Sequence, residues 1–129
     1  MKGLKDYFEN TMGIGVMSTA DKEGKVNAAI YSRPHFLEDG SIAFIMTERL
    51  THNNLQSNPY AAYLFVEEGP GYKGKRLYLR KIGEEENSEL LQSLIRREYN
   101  KEKHGPRFLV AFQVDKVLPL IGAGDEQGT

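Results

Sequence analysis

The sequence predicts a mainly β protein: a small antiparallel β-barrel with flanking helices. Three observations lead there. Apolar runs at 26–32, 42–46 and 60–66 are each of strand length. Turn chemistry separates most of the runs, most plainly at Asp39-Gly40, because an Asp-Gly pair tolerates the positive φ of a tight hairpin. Helical periodicity is confined to the start of the chain and to the stretch before its last strand, so the βαβ alternation of a parallel sheet is missing.

Each element follows from local chemistry. Leu4, Tyr7 and Phe8 fall at i, i+3 and i+4, which predicts a short amphipathic helix within 1–13. Residues 14–19 form the first expected strand and 26–33 the second, joined through Asp21-Lys22-Glu23-Gly24. The third strand spans 41–47. A polar segment from Thr47 to Asn54 follows, then a short helix at 53–57 that Thr51 is placed to cap. Asn58-Pro59 ends that helix and starts the fourth strand, 60–67. A glycine-rich loop leads to the fifth, 75–82. Glu84-Glu85-Glu86 introduces a helix near 88–99 with Leu90, Leu91, Leu94 and Ile95 as its apolar stripe. Acids at its start and Arg96-Arg97 near its end suit the helix dipole. Phe108, Val110, Phe112 and Val114 alternate strictly through the sixth strand, 107–118, and 122–129 reads as a frayed tail.

At 129 residues the chain is expected to be one domain spanning 1–129. A net charge of −1 supplies no global field towards nucleic acid or an acidic membrane. Cysteine is absent, which removes disulfides and thiolate chemistry together. No run approaches the ~18 apolar residues of a membrane span, so a cytoplasmic protein is the expectation. Several strands are apolar on both faces: Ile42, Phe44 and Met46 point one way, Ala43 and Ile45 the other. One face fills the barrel and the second needs a cover, for which a homodimer is the economical choice.

The loudest motif is also misleading. Residues 69–74 satisfy G-x-G-x-x-G, but a dinucleotide site needs a helix after the loop, and here a strand follows. His35, His52 and His104 share no metal-ligand spacing, so no metal site is expected. Arg76, Tyr78 and Arg80 share one strand face and offer a nucleic-acid-binding barrel as an alternative, which the overall acidity disfavours. The 47–54 segment is different. It gathers Arg49, Thr47, Thr51, His52 and two amides where a sheet edge meets a helix, and all of these can hydrogen-bond an anion such as phosphate. Beside it, Ala28-Ala29-Ile30-Tyr31-Ser32-Arg33 offers small side chains and backbone groups as a floor for a flat ring system.

These segments together, G-x-x-N-A-A-I-Y-S-R-P, then D-G-S-I-A-F-I-M-T, then R-L-T-H-N-N-L-x-x-N-P-x-A-A-Y-L-F, resemble the FMN-binding split barrels related to pyridoxamine 5′-phosphate oxidase. The resemblance implies a six-stranded antiparallel split β-barrel, FMN as cofactor, and a homodimer with FMN at the subunit interface. It implies that Tyr31, Ser32 and Arg33 lie along the ring and reach towards the phosphate. Thr47 would meet the ring's polar edge or the ribityl chain, and Arg49, Thr51 and His52 would hold the phosphate. Many relatives have lysine in this loop, so here Arg49 has to supply the charge. Oxidases of pyridoxamine phosphate proper carry an Arg-x-His element near the C-terminus, and Val117-Leu118-Pro119-Leu120-Ile121-Gly122-Ala123 offers nothing comparable. The expectation is therefore a flavin-dependent oxidoreductase of another small molecule, or a non-catalytic electron carrier. A deazaflavin or haem in place of FMN stays open.

Overall fold

The computed structural model describes residues 3–95 and 106–122. Its elements run α1 (Leu4–Glu9), β1 (Gly13–Ala20), β2 (Val26–Tyr31), β3 (His35–Phe36), β4 (Ile42–Thr47), α2 (Leu50–Ser57), β5 (Tyr60–Glu67), β6 (Gly74–Glu86), α3 (Glu89–Ile95) and β7 (Arg107–Pro119). All pairings are antiparallel within one seven-stranded sheet of order β2-β1-β5-β6-β7-β4-β3.

The two edges of that sheet are neighbours in sequence, and this sets its shape. Tyr31 ends β2 and His35 begins β3, so the edges can be no further apart than about 14 Å at ~3.6 Å per residue. Laid flat, seven strands at ~4.8 Å spacing would put them about 29 Å apart. The sheet has to curl into an incomplete barrel with a seam between β2 and the β3–β4 pair. Pro34 marks the break: without an N–H it cannot carry a strand through both pairings. The expected six strands are thus seven. What followed the second strand is a separate two-residue strand that pairs with the start of β4.

Tyr63, Phe44, Phe65, Phe112 and Met17 are fully buried inside the curl. α1 closes one end, where Phe8 meets Phe65 edge-on at 5.0 Å and Leu4 joins the same cluster. α3 lies over the outer face of β4 and β7, where Leu91 packs on Ala43 and Leu109. The outer face of β4, expected to await a partner, is therefore covered from within the chain. Two other boundaries move. β6 continues through Glu84-Glu85-Glu86, which pair with Val110, Leu109 and Phe108 instead of opening a helix. α2 begins at Leu50, ahead of the expected 53, so Thr51 lies inside its first turn and is not its cap. Expected positions 96–99 of the last helix, His104 and most of the 122–129 tail lie outside the described residues.

Gly69–Gly74 is a hairpin loop, closed by the Glu67 N–H bonding the Lys73 carbonyl at 2.8 Å. Arg76 donates to the carbonyls of Pro119, at 2.9 Å, and Gly122, while Arg80 faces Asp115 at 3.5 Å. These two guanidiniums are occupied within the chain. Among the described residues, no helix is long and apolar enough to cross a membrane, and no group of three or more metal-ligating side chains gathers.

Candidate functional site

The seam is also where the sheet has spare hydrogen-bonding capacity. β2 pairs with β1 on one side only, and β4 beyond Ala43 pairs only with β7. Two strand edges with alternating N–H and C=O groups therefore flank the gap. A cleft of about 590 Å³ opens there, bounded by β2, the end of β4, the start of α2 and the first residue of β7. Tyr31, Ser32, Thr47, Arg49 and Thr51 line it, with Asn27, Ala29 and Arg107. It holds two guanidiniums and no carboxylate, in a chain whose net charge is −1.

α2 adds to this polarity. Arg49 is its N-cap in extended conformation, and no side chain caps its first turn. The first N–H groups of an α-helix have no partner within it, and together with the dipole they favour an anion. Thr51 is buried and accepts from the Asn27 amide at 3.2 Å. Burial pushes the Tyr31 hydroxyl pKa up, opposed by a hydrogen bond with Thr51 and by the nearby charge of Arg49. Tyr31, Thr51 and Arg49 all line the same cleft.

The end of β2 is held from below. Tyr63, wholly buried, shares its hydroxyl proton between the carbonyls of Tyr31 at 3.2 Å and Ser32 at 2.9 Å. Burial raises its pKa far above the ordinary tyrosine value, so the hydroxyl stays a donor. Gly15, opposite Tyr31 in the β1–β2 register, leaves the space the Tyr63 hydroxyl occupies.

Two expected members stand elsewhere. Arg33 turns away from the cleft and donates to the carbonyls of Phe8 at 2.9 Å and Thr11 at 2.8 Å, tying α1 to the barrel. The break at Pro34 reverses the alternation that would have carried its side chain alongside Tyr31. His52 is buried against Phe108, with ring centroids 3.9 Å apart, and its Nε2 faces both Glu84 oxygens at 3.2 Å. One step along a helix from Thr51 is a rotation of about 100°, which carries His52 off the cleft face.

Glu84 is the centre of an anchor for α2, receiving Lys81 at 2.9 Å and Gln56 at 3.2 Å besides His52. Burial works to raise its pKa, but hydrogen bonds from Lys81, Gln56 and His52 and the charge of Lys81 outweigh it and hold the carboxyl below 4.5. A depressed folded value means stability present above the unfolded value and lost as pH falls through the folded one. Acid titration of Glu84→Gln and wild type should therefore give melting curves that differ at neutral pH and draw together as pH falls through the lowered folded value of Glu84. Parallel curves throughout would show that Glu84 contributes nothing as a charge.

Asn27, Arg107 and Glu84 were not singled out from sequence. For Arg107 a signal existed: it opens the strand that pairs with β4, and its register partner is Thr47.

The curled sheet with its open seam defines a split β-barrel, the fold of FMN-binding proteins related to pyridoxamine 5′-phosphate oxidase, as the sequence led one to expect. No protein-family model matches the chain, and no curated protein matches it in sequence. Among solved structures it is similar to an FMN-binding protein from Syntrophomonas wolfei subsp. wolfei, at 18% identity and a TM-score of 0.74 over 92% of this chain and 84% of that one. It is similar to a protein of Lactobacillus delbrueckii assigned provisionally as a pyridoxamine 5′-phosphate oxidase, at 13% identity, TM-score 0.67 and 92% of each chain. HutZ, a heme storage protein from Vibrio cholerae, shares the fold at 15% identity and TM-score 0.62 over 89% of this chain and 90% of that one.

Proposed function

We propose that the chain is an FMN-binding flavoprotein, acting as a flavin-dependent oxidoreductase on a small molecule. The observation that carries this is the seam cleft, with two arginines, no carboxylate and the uncapped start of α2 beside a free strand edge. These residues fit the cofactor's parts. Arg49, Thr51 and the first turn of α2 suit its phosphate. Ala29 permits close approach of a flat ring, and the free edges of β2 and β4 offer donors and acceptors to the ring's polar rim. Ser32 and Thr47 add hydroxyls along the path. Bound FMN supplies the redox chemistry, while the protein groups position and tune it.

The cleft is open to solvent on one side, and its rim is apolar. Ile30 and Leu50 line it and are 70% and 55% exposed. The same apolar surface continues over the outer faces of β1, β2 and β5 through Ile14, Val26 and Tyr60, all more than half exposed. A second copy laid on this face would bury these side chains and roof the cleft, which supports a homodimer with the cofactor at its interface.

FMN, riboflavin and heme titrated against purified protein test the reading, with heme present because HutZ shares the fold. The expected result is FMN uptake at about one per subunit. At ligand 100-fold above the dissociation constant, linkage adds ~2.7 kcal/mol of stability, visible as a raised melting temperature. The loaded protein should sediment at twice the 14.6 kDa of the chain. Protein that stays colourless with FMN, or takes up heme alone, sinks the proposal. Rapid reduction of the loaded protein by NADH or NADPH supports an oxidoreductase, and no reduction by either supports an electron carrier.

A further inference from the structure

Arg107 enters the seam cleft from a backbone fixed on two sides. On one, β4 pairs with it at Thr47. On the other, Asn87, just past the end of β6, exchanges two hydrogen bonds with it. The Asn87 N–H donates to the Arg107 carbonyl at 3.0 Å, and the Arg107 N–H donates to Asn87 Oδ1 at 3.4 Å. Asn87 stands at φ 51°, in the left-handed region that asparagine enters more readily than most residues. The Arg107 side chain is half-buried, lines the cleft, and makes no hydrogen bond or ion pair among the described residues. Arg49 arrives at the same place from the start of α2. Its N–H donates to the Thr47 carbonyl at 2.9 Å, which folds the chain back in a three-residue turn at the end of β4. Thr47 is thus neighbour to both arginines. Two residues of chain span at most ~7 Å and paired strand residues lie ~5 Å apart, so the two arginine Cα atoms are within about 12 Å of each other. Two arginine side chains bridge that gap between them. With no carboxylate lining the cleft, the two like charges repel until an anion stands between them.

We propose that Arg107 and Arg49 clamp a single phosphate, and that Arg107 makes the site selective for a phosphate monoester in its dianionic form. This rests on the seam cleft as the cofactor site and adds the charge state of the group it accepts. A monoester dianion offers two charges and three free oxygens at one phosphorus, enough for two guanidiniums. An esterified phosphate, as in FAD, offers one charge and two free oxygens at each phosphorus, and riboflavin offers none. Below about pH 6 the monoester gains a proton and its second charge is lost. The titratable side chains lining the cleft are Arg49 from α2, Arg107 from β7 and Tyr31 from β2, and β4 adds none. Arginine and tyrosine titrate far above neutrality, so a bound phosphate is the group in the cleft that titrates near pH ~6.

The test titrates FMN, FAD and riboflavin against wild type, Arg107→Gln and Arg107→Lys on both sides of pH ~6. Above it, Arg107→Gln is expected to weaken FMN about 10-fold and leave riboflavin nearly unchanged. Wild type is expected to lose FMN affinity as pH falls below ~6, and Arg107→Gln to lose less, since the second charge has less to meet. Riboflavin over the same range reports any change at His52 and Glu84, which anchor α2 behind the cleft. Arg107→Lys keeps the charge without the planar fork and is expected to fall between the other two proteins. Without FMN, phosphate in place of chloride at equal ionic strength is expected to raise the melting temperature of wild type more than that of Arg107→Gln. Equal loss of FMN and riboflavin in Arg107→Gln would overturn the proposal, placing Arg107 on the ring or in the fold. So would a pH dependence unchanged in that variant, or FAD bound by wild type as tightly as FMN. Wild type that takes no FMN but keeps the Arg107-dependent gain from phosphate would overturn the proposed function and leave the clamp standing.

Discussion

Gly15→Ala is expected to lower stability by about 3 kcal/mol, whereas Gly83→Ala, also in a strand, leaves it unchanged or raises it slightly. A Cβ at Gly15 would overlap the Tyr63 hydroxyl and ring, while one at Gly83 meets nothing within 4 Å. Tyr63 has nowhere to retreat, being wholly buried and flanked by Phe44 at 4.9 Å between centroids. Moving it also strips the carbonyls of Tyr31 and Ser32 of their donor. Overpacking costs about 1–3 kcal/mol, and the loss of the donor to two part-buried carbonyls adds to it. Thermal melts of the two variants would show a drop of about 10 °C for the first and none for the second. Because the lost bonds anchor the floor of the cleft, Gly15→Ala should also bind FMN less tightly at temperatures where it is still folded. A wild-type melt for Gly15→Ala would mean that Tyr63 does not stand over Gly15, and the account of how β2 is held would fail.

That contact lies at the limit of what sequence shows. The alternating run in β7 and the Asp-Gly turn before β4 speak through local chemistry, and both elements formed where expected. Leu4 and Phe8 announced α1 through their spacing alone. Three features were decided elsewhere in the chain. β3 is two residues long, below any periodicity, and exists because β4 offers an edge beside it. Glu84-Glu85-Glu86 has the composition of a solvated helix start, but the long β7 pairs with it, and Lys81, Gln56 and His52 compensate the first of its charges. Leu50-Thr51-His52-Asn53 has weak helical propensity, and tertiary bonds from Asn27 to Thr51 and from Asn54 to Thr19 at 3.0 Å hold it as helix. The site divides the same way. Residue types flagged the 47–54 segment, but which of its side chains turn to the cleft depended on where α2 begins. That start separates Thr51 from His52.

Arg49→Ala is expected to weaken FMN by about 10- to 150-fold and to leave riboflavin nearly unaffected, while Arg76→Ala changes neither. The range follows from a hydrogen bond to a charged group, roughly 1.5–3 kcal/mol. Two features of the cleft push towards its upper part. Arg49 stands at the N-terminus of α2, so its charge and the unpartnered N–H groups act on the same anion. It also lines the same cleft as Tyr31 and Thr51. Arg107 opposes a larger effect, since a second guanidinium in the cleft retains part of the attraction when Arg49 is gone. Arg76 is the control because its guanidinium is spent on the carbonyls of Pro119 and Gly122, on another strand from the seam. Riboflavin separates phosphate from ring: it lacks the phosphate and meets the same floor. Should both ligands weaken equally, Arg49 acts on the ring or on the fold of the seam. A larger loss at Arg76 would move the anion site to β6, and the seam would lose its claim as the proposed cofactor site.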